Sequence, residues 1–427
     1  MERRKFINLS TAGTGALMTG SMISTGSKDN AYRSLTSSSK ISELKKNTAV
    51  AMWDFSWILR HHRYGEFENW DAALEGLAER GYDSIRMDVM PQFVAADTDG
   101  SIQEEFRAVK KDWTPALWGN DFSMSFRPRE ALLQFLPKCK KYGIKVGLAT
   151  WFLRHDTGRT GIFMEEGGLI RAWKETLDFL DKNQLLDDNI MYVDLLNEYP
   201  DVHGFDWLKN EMNKRSDIEK FKLNNPDAHL PEFTKDKEGN QWEKMFYNDF
   251  INGLINDMRK AYPQFVYFAS LHTWSYKNVR KTNFDAIDNH VWFQHNGSIP
   301  GMDIIGGRKI EHDFRKIYAG LKKYWNEHKQ TLIDWMDGQI SMVASDAKKQ
   351  NVVCGNTEGW GSVLWLDHPE IDWKWMRETA EICVDMALKH KEYRFICTSN
   401  FTHPHFRGMW EDVKWHRKIT DRIKNGQ

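Results

Sequence analysis

The chain has 427 residues, 41% of them apolar and 28% charged; a sizeable core can be built, and wholesale disorder is excluded. Its 59 Lys and Arg against 60 Asp and Glu leave a formal charge of −1, so no basic field is available for nucleic acid or an acidic membrane surface, and neither is expected as a partner. Cys139, Cys354, Cys383 and Cys397 are scattered without a Cys-x-x-Cys pair, so neither a zinc knuckle nor a disulfide framework is indicated.

The N-terminus opens with Arg3-Arg4-Lys5-Phe6-Ile7 and continues as a weakly apolar Gly/Ala/Thr/Met stretch to about Ser27. A positive start followed by a short apolar run fits an export signal, too short and too polar to span a bilayer. The paired arginines resemble a twin-arginine leader over residues 1–27, which implies an exported, periplasmic protein; a disordered basic tail is the alternative. Residues 28–47 are Ser-, Lys- and Asn-rich and read as a linker. Nothing later has the ~18 continuous apolar residues of a membrane span.

From residue 48 short apolar runs alternate with amphipathic periodicities. Strands are predicted at 49–54, 84–89, 144–150, 190–196, 265–270, 286–293, 351–356 and 393–399. Helices are predicted at 69–80, 129–142, 167–183, 241–261, 308–328, 372–390 and 411–424, with a short one near 275–283. Near-continuous apolar strands separated by helices argue for a parallel sheet buried on both faces. Eight such units, with no Gly-x-Gly-x-x-Gly after the first strand, predict an α/β chain whose residues 48–427 form a single (β/α)8 TIM barrel; a large open sheet is the alternative. Chemistry in such a barrel sits at the C-terminal strand ends and the loops beyond them. Long loops are expected after strands two and four, at about 90–128 and 197–240.

Strand four runs Ile190-Met-Tyr-Val-Asp-Leu-Leu196 into Asn197-Glu198-Tyr199-Pro200. Asn-Glu also occurs at Asn210-Glu211 and Asn326-Glu327, but only Glu198 follows a strong strand that would hold it over the barrel mouth. Strand seven leads into Thr357-Glu358-Gly359-Trp360. A carboxylate set there against apolar neighbours is costly unless it is partnered or protonated. Cleavage of a glycosidic bond needs two such groups, one to protonate the leaving oxygen and one to attack the anomeric carbon.

A strand four ending in Asn-Glu-x-Pro, with a second Glu at the end of strand seven, resembles clan A of the glycoside hydrolases, and more narrowly the cellulase-like, family 5-like barrels. That resemblance implies a retaining glycoside hydrolase with Glu198 as acid/base, Glu358 as nucleophile and Asn197 on the sugar 2-hydroxyl. It further implies that Arg86 of Ser84-Ile85-Arg86-Met87 pairs with Glu358, lowering its pKa while that of Glu198 is raised. The sequence also departs from the pattern. His290-Val291-Trp292 stands where the family tends to have His-x-Tyr. The eighth strand offers no stacking tryptophan, a part that Trp360 or Trp365 would take.

The remaining candidates at strand ends are Trp53, Asp54, Asp88, Trp151, His272, Trp274, His290 and Trp292, expected to face the mouth with aromatic faces for sugar C–H groups and polar groups for hydroxyls. The excess of tryptophan, 19 residues, points the same way, to a carbohydrate partner. His403-Pro404-His405 has metal-ligand spacing, but its proline favours a loop, and no Gly-x-Ser-x-Gly elbow is present. No metal and no cofactor are expected. A sugar-binding barrel without turnover is the competing reading.

Overall fold

The computed structural model describes residues 38–108, 123–153, 159, 161–165, 167–199, 235–236, 239–273, 276, 282–293, 296, 314–361 and 367–426. The expected leader, half of the linker, Trp274, Trp365, most of the short helix near 275–283 and most of the 197–240 loop lie outside them.

All eight expected strands appear, within two or three residues of their predicted bounds. They are Thr48–Asp54, Ser84–Asp88, Lys145–Ala149, Ile190–Asp194, Tyr267–Phe268 with Leu271–His272, Ala286–Trp292, Val353–Asn356 with Gly359–Trp360, and Tyr393–Cys397. Every pairing among them is parallel. The sheet path begins at Leu271–His272, passes through Ala286–Trp292, Val353–Asn356 and Tyr393–Cys397 to Thr48–Asp54, and ends at Tyr267–Phe268. Only Ala269 and Ser270 separate its two ends in the chain.

The strands are buried along their length because both faces are covered. One face packs on helices such as Trp70–Glu79, Pro128–Lys141, Gly168–Lys182, Lys374–Leu388 and Val413–Asn425. Side chains of the other face fill the hollow of the curled sheet. Large rings there require a missing Cβ opposite: one added to Gly147 would lie 2.1 Å from the Tyr192 ring, and one on Gly355 2.3 Å from Phe395. Two helix starts are capped, Asn69 accepting from the Ala72 N–H and Asp412 from the Trp415 N–H.

Two differences from the sequence reading have physical causes. The helix expected at 308–328 is described as Phe314–Gln350, with His328 leaving helical geometry (φ −121°) at the point where the prediction stopped. In the 90–128 loop, Phe106–Ala108 pairs antiparallel with Met124–Phe126, burying Phe106 and Phe126. Among the described residues no helix is long and apolar enough to cross a membrane, and all four cysteines are free and buried.

Candidate functional site

The fifth and seventh strands are each interrupted where distant side chains capture their backbone N–H groups. The Ser270 N–H donates to Asp194 Oδ1 (2.8 Å), and the Ser270 hydroxyl receives the Glu198 N–H (3.2 Å). In the seventh strand Thr357 N–H donates to Asp288 Oδ1 (2.9 Å), Glu358 N–H to Asn356 Oδ1 (3.0 Å) and Gly359 N–H to Asn400 Oδ1 (3.0 Å). The ladder opens at Glu358 and closes again at Gly359–Trp360. Three side chains thus fix the backbone that carries the carboxylate. Glu198 has left-handed backbone (φ 51°), as has Asp54 (φ 33°); such strain costs about 1–3 kcal/mol per residue and persists where surrounding bonds enforce it.

Arg86 is fully buried and lies between four partners. Its Nη1 donates to Asp54 Oδ1 and to Glu358 Oε1 (2.7 Å), and its Nη2 to Asn197 Oδ1 and Asp194 Oδ2 (3.3 Å). Trp151 Nε1–H holds the other Asp54 oxygen at 3.0 Å. His290 completes the group: its Nδ1 is 3.2 Å from Glu198 Oε1 and 3.7 Å from Glu358 Oε1. Its Nε2 faces Thr357 Oγ1 at 3.3 Å and Asp288 Oδ2 at 3.7 Å. One side-chain atom each of Glu198, His290 and Glu358 lie within 4.8 Å of one another. The Glu198 side chain is 14% exposed and that of Glu358 1%. Glu358 Oε2 and Asn197 Nδ2 are buried with no hydrogen-bond partner among the described residues.

Electrostatics follow from packing two cations and several acids away from water. Burial opposes charge on His290, but Glu358, Asp288 and Glu198 outweigh it and raise its pKa to about 10. Burial likewise opposes ionisation of Asp288, which bonds from His290 and Thr357 nevertheless hold below the usual carboxylate range. Burial pushes Asp194 up to about 6, and Asp88 up to about 7. Glu358 departs from expectation: burial raises its pKa, and the pull of His290 and Arg86 does not reverse this. Asp54, itself raised by burial, adds to this by sharing Arg86 Nη1 with Glu358. Arg86 already bonds Glu358 Oε1, so its fixed charge competes with any cation brought to Glu198, His290 and Glu358.

Other expected residues fall elsewhere. Trp53, one residue out of phase with Asp54, points away from the cleft: it is buried against Phe67 (ring centroids 4.9 Å apart) and donates to Thr402 O. Trp360 is fully buried and donates to Cys397 O (2.9 Å), so it presents no free stacking face. Asp88 spends both oxygens on main-chain N–H groups, of Met90 (2.7 Å) and Trp151 (2.8 Å). Trp292 is buried beside Trp360 in register, and His272 is buried opposite His290. His403 and His405 stack 5.9 Å apart, His403 near the Ser56 hydroxyl and His405 on Glu66 and Arg60. Asp194, Asp288, Asn356 and Asn400 were not anticipated. An Asp inside an otherwise apolar buried strand was the available signal, because such a group must be partnered.

The cellulase-like family, described as sugar-binding cellulase-like, matches residues 50–424. The chain belongs to that family. Some of its solved structural neighbours are named as family 5 glycoside hydrolases. A candidate glycoside hydrolase of Parabacteroides distasonis ATCC 8503 is 26% identical, with a TM-score of 0.71 over 88% of this chain and 93% of that one. A family 5 glycoside hydrolase of Prevotella bryantii B14, in complex with a xyloglucan tetradecasaccharide, is 10% identical with a TM-score of 0.48, covering 90% and 98%. Comparison with the curated proteins finds no match. As a member of the cellulase-like family, the chain is a glycoside hydrolase or a sugar-binding protein.

Proposed function

We propose that this cellulase-like chain is a retaining glycoside hydrolase working by double displacement, on a curled parallel sheet that closes as an eight-stranded barrel through Ala269-Ser270. The observation that carries it is the approach of Glu198 and Glu358, with side-chain atoms within 4.8 Å. That suits direct attack on an anomeric carbon; water-mediated inversion calls for ~6.5–9.5 Å. Glu358 forms the bond to the anomeric carbon as the bond to the leaving oxygen breaks and Glu198 gives that oxygen its proton. Water then returns a proton to Glu198 and attacks the same carbon, releasing Glu358.

The cleft supports each role. Glu198 is the more exposed carboxyl, suited to exchanging protons with solvent and substrate, and His290 holds it toward Glu358. The free Nδ2 of Asn197 is available to a sugar hydroxyl, its Oδ1 being fixed by Arg86. Arg86 and His290 place two positive charges beside the nucleophile.

Replacing Glu358 by Gln keeps the shape and removes the nucleophile. Turnover of aryl glycosides and oligosaccharides should fall by several orders of magnitude while sugar binding, measured by calorimetry, survives. The wild-type product should appear first as the anomer of the substrate by proton NMR. Full activity in the Gln variant, or inversion at the anomeric carbon, defeats the mechanism. The family's description as sugar-binding favours a second reading, a barrel that holds sugar without cleaving it; binding with no turnover of any glycoside by the wild-type protein would select it.

A further inference from the structure

We infer that Asp54 is a positioning residue for Glu358: the two carboxylates lean on the same Arg86 nitrogen, and Trp151 sets how strongly Asp54 draws on it. The inference rests on the assignment of Glu358 as nucleophile and deepens it.

The charge arrangement singles out Asp54. Arg86 Nη1 is shared by Asp54 Oδ1 and Glu358 Oε1, whereas Nη2 faces Asp194 and the neutral Asn197. On the neighbouring strands, His290 is matched by Asp288 and Glu198, and both Asp88 oxygens are taken by main-chain N–H groups. Tyr192 and Cys397 also lie within the field of these groups, and burial pushes their pKa values up, so they add no charge. Asp54 therefore remains as the anion that divides the Arg86 charge directly with Glu358. Its second oxygen is held by the indole N–H of Trp151, which follows the third strand and is only partly buried.

The sign follows from this sharing. Ionised Asp54 lowers the positive potential at Glu358 and helps Glu358 keep its proton, in line with the upward pKa direction of both carboxyls. A bond from Trp151 favours ionised Asp54 and strengthens that effect. Losing the bond lets Asp54 take the proton and leaves Arg86 to Glu358. Trp151, a partly exposed ring, is thus linked to the charge of the nucleophile through Asp54 and Arg86.

The test is the acidic limb of the kcat/KM profile, which follows ionisation of the nucleophile in the free enzyme. In Asp54→Asn that limb should move to lower pH by about one unit. Trp151→Phe, at a partly exposed position, should move it in the same direction by less, and Asp54→Glu should move it back. A merely structural role lowers kcat/KM equally at every pH. Independently of turnover, the Glu358 Cδ resonance in 13C-glutamate-labelled protein, assigned by its loss in Glu358→Gln, should titrate at lower pH in Asp54→Asn. A limb and a Cδ titration that stay in place, or shift upward, in folded variants overturn the inference. An unmoved Cδ does so even if no glycoside is cleaved, which separates this failure from that of the hydrolase reading.

Discussion

Asp88 ties two loops of the cleft together. Its Oδ1 receives the Met90 N–H and its Oδ2 the Trp151 N–H, and Met90 is held in left-handed backbone (φ 53°). An asparagine there has one acceptor for two donors, so its amide must face an N–H. Asp88→Asn should therefore lower unfolding free energy by about 1–3 kcal/mol, read from the urea midpoint at constant m; an unchanged midpoint would show that the loops are fixed by other contacts. At this scale the sequence was legible where residue type and strand phase agreed. Arg86, Asn197, Glu198, His290 and Glu358 are brought together as their strand-end positions suggested. Trp53 faces away from the site because a side chain one residue from Asp54 lies on the opposite sheet face. Trp360 is withdrawn from stacking because its strand resumes after Glu358, turning the indole toward Cys397. Proximity to a strand end does not say which face a ring takes.

Elements whose order depends on local pattern were readable; those shaped by remote bonds were not. Continuous apolar runs marked the strands. The breaks at Ser270 and Glu358, however, are imposed by Asp194, Asp288 and Asn400 from other parts of the sheet, and no local periodicity encodes them. The long helix is a different case. Leu332, Met336, Ile340, Val343, Ala344 and Ala347 are all buried and recur at three- and four-residue spacing, a helical stripe that extends well past His328. That stripe packs on the Lys374–Leu388 helix, where Met336 meets Cys383 at 3.8 Å. This half of the helix should consequently act as part of the core. Ile340→Ala should cost about 2–5 kcal/mol, measured by urea unfolding; a loss under 1 kcal/mol would place the segment outside the cooperative unit.

For the whole molecule, the buried titratable groups set how stability varies with pH. Asp88 and Asp194 have native pKa values raised to about 7 and about 6 by burial. They hold protons that the unfolded chain has already released above about pH 4, so their contribution declines as pH rises through 4–7. Asp54 and Glu358 act in the same direction. His290, raised to about 10 despite its burial, stabilises below about pH 6.5 and loses that contribution between there and pH 10. Lowered acids such as Asp288 oppose this trend only below about pH 4.5, and above it two histidines do: burial lowers the pKa of His403 and brings that of His416 to about 3. Both favour the native state as pH rises to about 6.5 and add nothing beyond. The fall due to the acids and the gain due to these histidines offset each other between about pH 4.5 and 6.5, and above neutrality only the losses remain. Thermal unfolding should give a higher Tm at pH 5.5 than at pH 8.5, with the steepest decline above pH 7. His290→Gln should flatten that alkaline decline, because the proton that the native state retains there is no longer bound. A Tm that rises from pH 7 to 9, or a decline identical in the variant, would mean that His290 is neutral in the folded protein and that Arg86 alone supplies positive charge to Glu358.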